Sequence, residues 1–405
     1  MTTTLGAQAG FVTLWVILVS CAVKVAVQLE FGKHAISTGE TSLLAFNKLP
    51  GPKFRGVSWS LWIWFVVKTI QLIQYGGIVG GVALALNLAF PAVGVGVWAC
   101  VAGVSASLLV SRGKYRFIER TAIFLTATFS LFTVFCVAML QLTPYQVSLA
   151  DLAGGLTFQL PVAAIGIAVA AFGLTGVSAD EITSYPYWCI EKGYAAWTGP
   201  RDGSAEWARR AKGWIRVMYY DAALSMIIYT LATAAFYVLG AAVLHGSGEI
   251  PAGNEMISTL SQMYTETIGP GAMGIFLAGA VIVLFSTLFV ACASGTRMFT
   301  DAFAQCGFLD YADEATRTRW FRVLAWLLPA AWTGLYLTLQ APLLMVAAGG
   351  VAIAMLLLMV VFAAYVFRYH RLAPELQPGK AYDVLLWVSI VAIVGVGVRS
   401  AAALL

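Results

Sequence analysis

Long apolar runs, each close to the length of a membrane crossing and separated by shorter polar stretches, set the pattern of this chain. Ten can be marked, at residues 11–31, 57–88, 91–110, 118–140, 157–178, 214–244, 270–300, 320–339, 342–367 and 382–403. A bilayer core of about 30 Å takes about 20 residues of helix, and backbone in lipid must satisfy its own hydrogen bonds, so these runs predict ten transmembrane helices. None alternates with the period of two that a membrane β-barrel shows. The fold class is therefore an all-α polytopic membrane protein.

Composition agrees and narrows the function classes. Of 405 residues, 60% are hydrophobic and 11% charged, whereas a soluble domain carries about 25% charged residues. That excludes a soluble enzyme on an anchor, a secreted disulfide module and a nucleic-acid binder; the surrounding partner is the lipid bilayer. Cys21, Cys100, Cys136, Cys189, Cys292 and Cys306 stand singly with no C-x-x-C pair, and read as small apolar side chains. His34, His245 and His370 fall at helix ends or in loops and assemble no zinc-type cluster. With no nucleophile–base pair and no metal constellation, the chain reads as a non-enzyme without a resident cofactor.

The basic residues orient the runs, because cytoplasmic loops retain Lys and Arg. All but Lys24, Lys68 and Arg399 of the 24 basic residues lie in or flank the connections 32–56, 111–117, 190–213, 302–318 and 368–381. The connections 89–90, 141–156, 245–269 and 340–341 hold none. Those first five are predicted cytoplasmic, with both termini outside. The first run has neither a basic segment before it nor a cleavage pattern, so it is a span and not a signal peptide.

Ionisable residues at membrane depth cost about 2.5–3.5 kcal/mol on insertion scales and so carry information. Lys24, Lys68, Asp180 and Glu181 qualify. For each lysine two readings stand: snorkelling or a structural ion pair, and the lining of a polar pathway. Lys68, Gln71 and Tyr75 share one helical face, with Gln74 beside them, a polar stripe that must meet protein or water. Gly76, Gly77, Gly80 and Gly81 form small-xxx-small pairs that point to close helix packing.

The fifth run is the most informative. As one helix, Leu160 to Trp188 would be about 43 Å long, more than one crossing needs. The segment Gly173-Leu174-Thr175-Gly176-Val177-Ser178 has two glycines and two hydroxyl residues and is the natural place for an interruption. Either the helix ends at Val177 with Asp180 and Glu181 in the interface, or Ser178 or Asp180 opens a second half-helix, leaving unwound backbone and two carboxylates facing a cavity.

The stretch AGFVTLWVILVSCAVKVAVQLEFGKHAISTGETSLLAF at 9–46, with Gln28, Gly32, Thr38 and Gly39, and the fifth run with its continuation Tyr185-Pro186-Tyr187-Trp188 resemble the Nramp family of proton-coupled divalent metal transporters, particularly its diverged relatives. The resemblance covers nearly the whole chain. It implies a LeuT-type inverted-repeat bundle: an incomplete first repeat of four helices over 1–140, a second repeat of five over 157–367 with the family's sixth helix broken, and an additional helix at 382–405. The family's first helix, with its Asp-Pro-Gly-Asn motif, has no counterpart, and MTTTLGAQAG resembles at most its tail. The expectation is an N-terminally truncated chain, with a groove beside 174–181 lined by the first, second and seventh spans. The family's Met-Pro-His-Asn motif falls on Val177, Ser178, Ala179 and Asp180, so thioether and imidazole are lost and a harder ion preference is implied.

The expected function is secondary active transport of a divalent cation, magnesium or manganese, coupled to protons, in a bacterial inner (plasma) membrane. Leu174, Thr175, Gly176, Val177, Ser178, Asp180 and Glu181 would bind the ion, with Asp180 and Glu181 as its carboxylate ligands and Lys24, Lys68 and Gln71 along the polar pathway. The alternatives are an organic-ion or amino-acid permease on the same fold and a non-transporting truncated relative. The oligomeric state is open.

Overall fold

The computed structural model describes residues 1–112, 116–251 and 253–402. It is built almost entirely from helices: α1 (Thr2–Ala9), α2 (Leu14–Thr38), α3 (Ser42–Asn47), α4 (Trp59–Ala89), α5 (Val95–Ser111), α6 (Arg116–Met139), α7 (Leu149–Gly154), α8 (Ile165–Leu174) and α9 (Ala179–Glu191) in the first half. There follow α10 (Tyr194–Thr198), α11 (Ala205–Leu239), α12 (His245–Ser247), α13 (Met256–Ile268), α14 (Ala272–Gln305), α15 (Glu314–Leu339), α16 (Pro342–Val366) and α17 (Lys380–Ala402). One departure from an all-helical reading is a two-residue hairpin, Lys53–Phe54 against Val57–Ser58. Its turn residues Arg55 and Gly56 both have positive φ, the geometry that matches strand twist in a two-residue turn.

Among the described residues, seven helical stretches are long and apolar enough to cross a membrane: Thr2–Thr38, Trp59–Ala89, Ile123–Leu142, Val162–Glu191, Ala205–Ser247, Ala272–Gln305 and Pro342–Arg371. Each covers one of the ten apolar runs. The other three runs also form helices, α5, α15 and α17, outside that set. Boundaries moved where local chemistry overrode hydropathy. The first run extends to Thr38 and takes in the buried Glu30–Lys33 pair. The fifth is not helical over 157–161 and begins its α-helix only at Ile165.

Helix packing follows the small residues. A Cβ on Gly77 would lie 2.6 Å from Pro342 O, and one on Gly80 only 2.2 Å from the Tyr336 ring. The glycine run therefore lets α4 lie directly against α15 and the start of α16. Gly173 does the same for α8, where an added Cβ would sit 2.1 Å from Gly350 O of α16. The result places α2, α4 and α16 around the junction of α8 and α9.

Candidate functional site

The fifth run is broken where its glycines and hydroxyl residues lie. α8 ends at Leu174, Thr175 is extended (ψ 154°), Gly176 is left-handed (φ +66°), and α9 starts after Ser178. Gly176 is required twice over: its φ disfavours any side chain, and a Cβ would lie 2.8 Å from Cys21 Cα of α2. Ser178 and Glu181 form a reciprocal capping box, Ser178 N–H donating to Glu181 Oε2 at 2.6 Å and Glu181 N–H to Ser178 Oγ at 3.3 Å. Of the two readings, a second half-helix opening after Ser178 is the one observed.

Unwinding releases the Phe172 and Thr175 carbonyls, and both are taken up by α2. Lys24 Nζ donates to Phe172 O at 2.6 Å and Thr175 O at 2.5 Å. Ser20 Oγ lies 3.0 and 3.2 Å from the same two oxygens. Lys24 is fully buried, so it does not snorkel; its ammonium sits on the oxygens that the break exposes. Thr175 Oγ1 lies 2.7 Å from Ser20 Oγ and 2.8 Å from Ala171 O, so its hydroxyl is also occupied. The Val177 side chain packs into the hydrophobic core and offers nothing to a ligand.

On the α4 side the polar stripe closes into a ring. Lys68 Nζ is ion-paired to Asp180 Oδ1 and donates to Gln71 Oε1 at 2.7 Å. Gln71 Nε2 donates to Tyr75 OH at 3.1 Å, and Tyr75 OH donates to Asp180 Oδ2 at 2.7 Å. Both oxygens of Asp180 are thus in use, and Lys68, Gln71 and Asp180 are all buried. Glu181 differs: it is exposed, one carboxylate oxygen caps α9, and the other has no hydrogen-bond partner among the described residues.

Glu181 opens onto a cavity of about 640 Å³ lined by Leu174, Ser178 and Asp180, by α4 residues including Gln71 and Gln74, and by α14. The second and seventh spans line it, whereas the first span, expected to do so, contributes no residue; Met1, ahead of that span, lines it instead. Gln74 also lines the cavity, but its Oε1 is buried without a partner and packs against Gly349 of α16, where an added Cβ would lie 2.5 Å from it, so that oxygen is turned away from the open space. All six cysteines are free. Among the described residues no group of three or more His, Cys, Asp or Glu could hold a metal ion. The polar side chains on the cavity are two carboxylates, two amides and hydroxyls, and the Lys24 and Lys68 ammoniums sit behind them on the freed carbonyls and on Asp180.

Three partners escaped the reading of the sequence. Ser20 is one turn before Lys24 on α2 and could have been found from that spacing. Asp301 is buried near the end of α14, where it accepts from Thr41 Oγ1 at 2.6 Å, Tyr187 OH at 2.5 Å and Gln305 Nε2 at 3.0 Å. Arg297, one turn before it, is held by Glu191 through Nε–Oε1 at 2.5 Å and Nη2–Oε2 at 3.0 Å. Asp301 lies just beyond the apolar run 270–300, and only packing reveals its link to α9.

A family model described as natural resistance-associated macrophage protein-like (Nramp) matches residues 2–403. No curated protein matches the sequence. Among solved structures, a point mutant of the Eremococcus coleocola manganese transporter is similar at 15% identity and a TM-score of 0.65, covering 98% of this chain and 82% of that one. The same transporter in complex with an aromatic bis-isothiourea substituted compound is similar at 15% identity and a TM-score of 0.63, with the same coverage. At that identity the likeness is one of fold.

Proposed function

Because the chain belongs to the Nramp family of integral, multi-pass membrane proteins, we propose that it is a secondary transporter moving a divalent metal cation through the cavity beside Asp180 and Glu181. The observation that carries this reading is the start of α9, where two carboxylates from one half-helix, Asp180 and Glu181, line the same cavity. Similarity to a manganese transporter supports metal as the cargo. Carboxylate, amide and hydroxyl oxygens without thioether or imidazole favour a harder ion, magnesium as well as manganese.

Lys68 then acts as a built-in counter-ion. Cluster charge is balanced by Lys24 and Lys68 against Asp180 and Glu181, so an arriving cation meets Glu181 first and gains Asp180 only by displacing the Lys68 ammonium. Proton coupling, a ten-helix LeuT-type inverted repeat divided at 1–140, 157–367 and 382–405, and residence in a bacterial inner membrane complete the proposal. Cysteines placed at Ser204 and Ser247 should label from opposite sides of the membrane.

One observation favours a second reading. The carbonyls freed by the break and one of the two carboxylates already hold lysine ammoniums, an arrangement equally suited to an organic-ion or amino-acid permease whose substrate carboxylate meets Lys24 or Lys68. Reconstituted vesicles decide between them. Uptake of Mn²⁺ or Mg²⁺ that is abolished in Asp180→Asn and Glu181→Gln supports metal transport. Uptake of a carboxylate-bearing solute with no cation flux would replace it.

A further inference from the structure

Away from the broken helix, a small pocket of about 190 Å³ lies between α5, α14 and α15. Three guanidinium groups line it: Arg112 at the C-terminal end of α5, Arg297 of α14 and Arg322 of α15. Arg297 is buried and its charge is answered by the two-point pairing with Glu191. Arg112 and Arg322 are exposed, and among the described residues neither has an ion pair or a side-chain hydrogen bond. Arg322 also borders the adjoining depression on α15 together with Asp313, Glu314 and Arg319, but Asp313 caps the helix through the Ala315 and Thr316 amides, and among the described residues no ion pair joins Glu314 to Arg322. Two positive charges are left over in a concave site.

The depth of the pocket and its walls say what those charges face. Arg112 follows the apolar run 91–110 and Arg322 sits at the start of the run 320–339, the level at which a helix passes from hydrocarbon to headgroups. Val110, Phe289 and Phe321 form the apolar side of the pocket. Beyond them, Val101 and Val104 of α5 and Val323 and Leu327 of α15 are exposed, an apolar surface of the kind that acyl chains cover. Thr318 supplies a hydroxyl at the rim. Arginine presents paired N–H donors that match phosphate oxygens, and basic pockets between transmembrane helices are suited to anionic headgroups.

We propose that this pocket binds the phosphate group of an anionic membrane lipid, with Arg112 and Arg322 as the anion ligands, the Glu191-paired Arg297 as the preformed floor and the acyl chains along α5 and α15. The site is separate from the broken helix and stands whether or not the transport reading does.

The test uses the full chain in detergent, with bound phosphatidylglycerol or phosphatidylcholine counted by native mass spectrometry. Phosphatidylglycerol should be retained over phosphatidylcholine. Arg112→Gln and Arg322→Gln should each weaken phosphatidylglycerol binding by about fivefold and leave phosphatidylcholine binding unchanged. The conservative pair Arg112→Lys and Arg322→Lys should keep part of the preference, which separates loss of the site from loss of the fold, and Arg209→Gln on the exposed face of α11 should change nothing. Equal binding of the two lipids, or a double Gln variant that binds phosphatidylglycerol as well as the parent, overturns the site. If inorganic phosphate displaces the lipid at equal concentration, acyl chains add nothing and the ligand is a free phosphate, which overturns the lipid assignment.

Discussion

Asp180 and Asp301 are both buried, both accept a tyrosine hydroxyl, and both bear on α9, yet their charges are answered in opposite ways. Asp180, in the first turn of α9, has an ammonium on one oxygen and the Tyr75 hydroxyl on the other. Asp301, on α14, is held by the Thr41 and Tyr187 hydroxyls and the Gln305 amide, with no cation paired to it among the described residues. The difference is one of exchangeability. A carboxylate compensated by a side-chain ammonium beside a cavity can trade that cation for another, whereas one caged by neutral donors from α9, α14 and the segment before α3 ties those elements together. With Glu191 also clasping Arg297, the far end of α9 is fastened to α14 while its near end faces the cavity.

Breaking the Asp180 pair should have the largest effect. Asp180→Asn leaves the Lys68 ammonium buried without its carboxylate, which costs on the order of 3–5 kcal/mol, and it should abolish cation uptake. A variant that keeps both its melting temperature and its uptake would remove Asp180 from the site. Lys68→Met should be nearly as destabilising alone, but the double variant Asp180→Asn/Lys68→Met should be less destabilised than the two singles added together. Simple additivity in that thermal cycle would mean the pair is not coupled.

At Asp301 the expected signature is smaller and purely structural. Tyr187→Phe removes one hydrogen bond to a buried carboxylate, about 1.5–3 kcal/mol, and should lower the melting temperature while leaving the concentration dependence of uptake unchanged. A shifted cation affinity in Tyr187→Phe would make Asp301 part of the transport route and erase the contrast.

Two substitutions probe the break between these aspartates. Gly176→Ala forces a side chain into a left-handed conformation, about 1–2 kcal/mol, and against the α2 backbone; it should weaken both folding and uptake, because it pushes α2 and its Lys24 off the freed carbonyls. Ser178→Ala removes the cap of α9 at about 1 kcal/mol, the mildest change, and should also free the Glu181 carboxylate to move. Unaltered thermal stability in Ser178→Ala would show that Glu181 is not restrained by the capping box.

Much of the broken helix was legible in the chain. Excess length between Leu160 and Trp188 placed the interruption within residues 173–178, because helix length and glycine cost are local quantities, but it left open whether the helix ended at Val177 or a second half-helix followed. The i, i+3, i+4 spacing of Lys68, Gln71 and Tyr75 likewise identified the stripe that became the ring around Asp180. What this spacing left open was the partner. Lys24 could have snorkelled, and its engagement with Phe172 O and Thr175 O, across about 150 positions of sequence, follows only once α2 crosses the break at Gly176. The Asp301 cage was invisible for the same reason: its donors come from three separate segments, and none has a pattern of its own.

By itself, then, the order of residues determined the elements and the place of their interruption: apolar runs long enough to cross a bilayer, small residues where helices touch, and a glycine- and hydroxyl-rich segment that no single crossing helix accommodates. Only the tertiary structure decided how the few buried charges are compensated. A lysine and a carboxylate at membrane depth must each find an opposite charge or a set of dipoles, and which one is found depends on helices brought together from distant parts of the chain, so Lys68 became the counter-ion of Asp180 while Asp301 was left to two hydroxyls and an amide.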